Sequence, residues 1–93
     1  MTQLEIDLID GNFTAADALE IITAVLDKKM NFHKLQRLAK TEKDHSYPST
    51  FENERIKALQ IEKDKTINFL TALIKTEAMV EVESKIHLKL NQL

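Results

Sequence analysis

Ninety-three residues, 43% of them hydrophobic and 30% charged, put the chain in the globular range and limit it to one small core. The formal charge of −2 gives no overall attraction to nucleic acid or to an acidic membrane. The absence of cysteine removes disulfides, thiolate metal sites and cysteine nucleophiles, and no run approaches the roughly 18 apolar residues of a membrane span.

The opening residues carry acids where a signal peptide carries basic residues, so the expectation is a single cytoplasmic domain over residues 1–93. A chain this short buries only about 60–65% of the surface its unfolded form exposes. Self-association would widen that thin stability margin.

Leu4-Glu5-Ile6-Asp7-Leu8 alternates apolar and polar, the pattern of a strand with one buried face. Asp10-Gly11-Asn12 reads as its end, with the only glycine placed where a positive φ would be needed. Thr14 with Asp17 then marks a helix start, and Phe13 can staple onto Ala18. Leu19, Ile22, Val25, Leu26 and Met30 follow at helical spacing, which predicts helix A over 14–29.

Asn31 reads as a second cap, opening helix B with Phe32, Leu35, Leu38 and Ala39 as its apolar stripe. One kinked helix over 14–41 is the alternative. The polar segment closed by Pro48 is a connecting loop. Ser49 with Glu52 spells a capping box, and helix C is expected over 50–77 along Ile56, Leu59, Leu70 and Leu73. Lys63 and Thr66 interrupt that spine, which favours antiparallel packing over a long parallel coiled coil.

From 80 to 90 the period changes to two: Val80, Val82, Ser84, Ile86, Leu88 and Leu90 alternate with Glu81, Glu83, Lys85, His87 and Lys89. This is a strand. Its basic residues complement Glu5 and Asp7, so the two terminal strands are expected to pair. The fold class that follows is mainly α with a small β component (α+β). Three helices lie across the apolar face of a two-stranded ribbon, β-α-α-α-β, and dimerisation completes a four-stranded sheet. Val80, Val82, Ile86, Leu88 and Leu90 form the dimer strand.

Reactive chemistry finds little support. His33, His45 and His87 have no second ligand at helical metal-site spacing, so no metal site is expected. One glycine cannot build a phosphate loop, and Ser46, Ser49 and Ser84 lack a nucleophile elbow. Glu52 and Glu54 read as capping residues and Glu62 as the helical partner of Lys65. No catalytic residue, cofactor or enzymatic activity is expected.

The remaining feature is basic. Lys29, His33, Arg37 and Lys40 recur every three or four residues and share one solvent-facing stripe opposite Phe32, Leu35 and Leu38, suited with Lys34 to phosphate contacts. The strip Ile6-Asp7-Leu8-Ile9-Asp10-Gly11-Asn12-Phe13-Thr14, followed after helix A by Asn31-Phe32-His33, resembles small uncharacterised bacterial helical proteins. That resemblance implies a bacterial, cytosolic setting and carries no activity or site. The expected function is a non-enzymatic protein–protein interaction or regulatory module, homodimeric, with an unidentified protein partner. Polyanion or nucleic-acid binding through the basic stripe is the alternative.

Overall fold

The computed structural model describes residues 2–91. Among the described residues four elements follow one another: β1 (Gln3–Thr14), α1 (Ala15–Lys43), α2 (Thr50–Ile74) and β2 (Met79–Lys89). The order is therefore β-α-α-β, with two helices rather than the three expected.

Helices A and B are one helix. The Thr14 hydroxyl accepts the Asp17 amide at 3.1 Å, as the sequence suggested, but nothing stops the helix at Asn31. An internal cap residue ends a helix only where the chain must turn. Here α2 supplies a partner along most of the length of α1, and that packing outweighs the local preference of Asn31.

The short 44–49 connection returns the chain antiparallel. Asp44 organises the turn: its carboxylate accepts the Ser46 amide at 3.0 Å and the Ser46 hydroxyl at 2.6 Å, and its carbonyl accepts the Tyr47 amide at 2.9 Å. The expected Ser49–Glu52 capping box does not form. Ser49 makes no side-chain cap, and Glu52 turns inward.

Along the seam α2 contributes Ile56, Leu59, Lys63, Thr66, Leu70 and Leu73, all buried or half-buried at alternating steps of three and four. Lys63 is accommodated by an ion pair with Asp27 of α1 at 2.7 Å. The buried apolar core is small: Ala15, Ala18, Met30 and Leu70.

The two end strands form an antiparallel ribbon, as the alternation indicated. β1 does not stop at Gly11. It runs through to Thr14, with Gly11 opposite Val82 at a negative or extended φ, so no turn is made there. The irregularity falls at Leu8 instead, an extra residue between the pairs Asp7–Lys85 and Ile9–Ser84.

This bulge corrects the phase of the sequence. Before it Leu4 and Ile6 face Leu88 and Ile86; after it Ile9, Gly11 and Phe13 face Ser84, Val82 and Val80. Opposed residues share a face, so an apolar face continues along the whole ribbon although β1 changes parity. On the other face Lys85 reaches Glu5 at 3.3 Å and Asp7 at 3.9 Å, while His87 approaches Glu5 at 3.4 Å.

The helices do not cover this ribbon as expected. Its inner half, near the helix ends, is half-buried, whereas Leu4, Ile6, Ile86 and Leu88 in the outer half are exposed. The whole molecule measures 51 × 36 × 14 Å. Fourteen ångströms is about the thickness of one layer of helix or sheet.

Candidate interaction surface

Every helix of a stable domain must bury an apolar stripe against something. On α1 the side turned toward α2 is polar in its second half. Arg37 Nη1 donates to Asn53 Oδ1 at 2.7 Å, and Lys40 Nζ donates to Glu52 Oε1 at 2.9 Å. His33 is buried in the same seam, edge-on to the rings of Phe32 (5.5 Å between centroids) and Phe51 (6.5 Å). Its Nε2 has no hydrogen-bond partner among the described residues.

Glu52 is the centre of this polar lock. Its carboxylate is only 1% exposed and accepts the Lys40 ammonium and also the Tyr47 hydroxyl, at 2.8 and 3.0 Å. The Lys40 ammonium lies 5.4 Å from the centroid of the Tyr47 ring. The hydrogen bond from Lys40 holds the Glu52 carboxyl below the usual carboxylate range, the Tyr47 hydroxyl adds to this, and desolvation opposes it. Reciprocally, the bond to Glu52, and after it the neighbouring Tyr47 side chain, raise Lys40 above the ordinary lysine value. Asp44 is lowered by its two bonds from Ser46.

The stripe expected to offer phosphate contacts is therefore largely occupied. His33 is buried, Arg37 and Lys40 are engaged with α2, and of the five only Lys29 and Lys34 are exposed with no ion pair or side-chain hydrogen bond among the described residues.

The apolar residues expected to face inward lie outside. Phe32, Leu35 and Leu38 are 55%, 57% and 54% exposed. One turn earlier, Ala24, Val25, Lys28, Lys29 and Phe32 join Leu8 of the ribbon bulge to line an open groove of about 570 Å³. A second open depression, of about 460 Å³, lies at the ribbon tip between Leu4, Leu88 and Leu90. Phe51 and Phe69 of α2 are also largely bare.

The surface total gives the same reading. A compact monomer of 10.7 kDa exposes about 5,500 Å². This chain exposes 7,446 Å², about 1,900 Å² more. Its radius of gyration is 16.9 Å, against about 12 Å for a compact domain of this length.

Sequence reasoning placed Phe32, Leu35 and Leu38 correctly on one stripe but turned that stripe inward. The missed signal was Glu52 with Lys40, complementary charges that could pair across the hairpin and fix its rotation.

Among the described residues, no group of three histidine or acidic residues could hold a metal ion, and no helix is long and apolar enough to cross a membrane. No family model, curated protein or solved structure matches the chain.

Proposed function

We propose that the chain is a non-enzymatic protein–protein interaction module that works as a homodimer, its uncovered apolar face closed by a second copy. The observation that carries this reading is the one-layer shape, with Phe32, Leu35 and Leu38 turned away from α2. An excess of about 1,900 Å² on each protomer would give a dimer interface of about 3,800 Å², within the 2,000–5,000 Å² of obligate homodimers.

The polar groups of the seam support the same view. Lys40, Glu52 and Tyr47, and Arg37 with Asn53, satisfy one another and hold the hairpin shut, so these polar groups are committed to the fold. A cysteine-free chain with no need of disulfides suits the cytoplasm.

The test is the mass in solution. Light scattering at micromolar concentration should give about 21 kDa, twice the chain mass of 10.7 kDa, with helical circular dichroism lost as dilution drives dissociation. A monomer retaining full helicity in dilute solution overturns the proposal.

A further inference from the structure

A two-stranded ribbon has two open edges, and the two edges of this one differ. Leu90 donates its amide to the Thr2 carbonyl at 2.8 Å, in line with the register that pairs Gln3 with Lys89. Hydrogen-bonded and non-bonded pairs alternate along an antiparallel ladder. The even residues of β2 therefore point their backbone groups toward β1, and the odd ones, Glu81, Glu83, Lys85, His87 and Lys89, point theirs to the open side.

On β1 the open edge is blunted in two ways. The Leu8 bulge interrupts its ladder, and its charged side chains, Glu5, Asp7 and Asp10, are all acidic. A second β1 laid antiparallel against it would bring acid against acid. β2 has no inserted residue and carries both signs, acids in its first half and bases in its second.

We infer that the β2 edges of two copies pair antiparallel about a two-fold axis at Ser84, forming a four-stranded sheet in the order β1-β2-β2-β1. In this register Glu83 meets Lys85 of the partner subunit, Glu81 meets the partner's His87, Val82 meets the partner's Ile86 and Val80 meets the partner's Leu88. The strand ends coincide as well, since Met79 and Lys89 lie equally far from Ser84. Each charged pair occurs twice by symmetry, and the outward backbone groups of both strands face one another.

A two-fold axis perpendicular to the sheet keeps both apolar faces on the same side. It sets the bare outer half of each ribbon beside the inner half of the other. The start of the partner's α1 then stands level with Leu88 and Leu4, where the chain's own helices leave the sheet uncovered. Moving the pairing centre to Lys85 would place two lysines opposite each other, which like-charge repulsion disfavours. Pairing of β1 on β2 of the next copy would never close and would grow into a filament.

This inference rests on the homodimer reading, and single-cysteine variants of the cysteine-free chain test the two separately. Ser84 falls at a non-hydrogen-bonded pair on the axis, with Cα atoms about 4.5 Å apart, within disulfide reach. Mild oxidation of Ser84→Cys should convert nearly all of the protein to a covalent dimer of about 21 kDa, twice 10.7 kDa. Val80→Cys alone should stay uncrosslinked, because Val80 meets the partner's Leu88, while an equimolar mixture of Val80→Cys and Leu88→Cys should crosslink.

A protein that is dimeric by mass but leaves Ser84→Cys uncrosslinked overturns this pairing and leaves the homodimer intact. A monomeric mass overturns both. Growth beyond twice the chain mass, with Ser84→Cys left uncrosslinked, overturns the closed arrangement in favour of filaments.

Discussion

The two sides of α1 invert the usual distribution of side chains. Toward α2, the second half of the helix presents His33, Arg37 and Lys40; away from it stand Phe32, Leu35 and Leu38, each more than half exposed. In a self-sufficient helical hairpin the assignment would be reversed, because apolar burial drives packing and charged groups stay in water. Polar contacts here fix how the helices sit, while the apolar surface is kept for a contact outside the chain.

The largest effect expected from breaking this contrast lies on the outer side. Leu35→Lys with Leu38→Lys should weaken self-association about a thousandfold, roughly 4 kcal/mol, at the scale of two interface hot spots. In an isolated monomer the same exposed positions would tolerate lysine within about 0.5 kcal/mol. Analytical ultracentrifugation of the double variant against wild type separates the two cases. An unchanged sedimentation coefficient would remove α1 from the interface.

The inner side should answer to pH. Glu52 titrates below its ordinary value in the folded chain, so its contribution to stability is complete above about pH 4.5 and is lost as pH falls through its lowered folded value. Asp44 acts in the same direction. Lys40 is raised, so its contribution is complete below about pH 10.5 and lost as pH rises through its folded value.

Thermal melts between pH 2 and 7 should therefore show Tm declining on the acid side. Glu52→Gln should lower Tm at neutral pH and flatten the acid decline, leaving the part that Asp44 supplies. An acid limb as steep as that of wild type would mean the Lys40–Glu52 pair is not what holds the seam.

Periodicity made the ribbon readable in advance: Val80 to Leu90 alternates with Ser84 as the one polar residue in the apolar series, and the complementary charges of Glu5, Asp7 and Lys85 foretold the pairing now seen as salt bridges. It failed where tertiary packing decides. Asn31 and Gly11 carry strong local signals for a cap and a turn, yet each lies inside a continuous element because a neighbouring helix or strand extends past it. Ser49-x-x-Glu52 spells a capping box, and the same carboxylate is worth more to the fold bonded to Lys40 and Tyr47. The rotation of α1 was illegible for a related reason. Hydrophobicity marks which residues share a face, and only the cross-hairpin pairs fix which face meets α2.

A third variant separates the stability of the protomer from its association. Glu77, between α2 and β2, has a φ of 58°, a left-handed conformation that crowds any side chain and is easiest for glycine. Thr76 holds the turn from one side, its hydroxyl donating to the Leu73 carbonyl at 2.7 Å and accepting the Ala78 amide at 3.3 Å. Glu77 makes no salt bridge among the described residues, so its removal costs little beyond the greater freedom that glycine gives the unfolded chain. Glu77→Gly should therefore raise stability by about 0.5–1 kcal/mol, the smallest of the expected effects. Because the residue belongs neither to the polar seam nor to the apolar outer side, denaturation should move to higher urea while the dimer dissociation constant, measured under native conditions, stays put. A change in association of the same size would show that the α2–β2 turn itself takes part in the contact between copies.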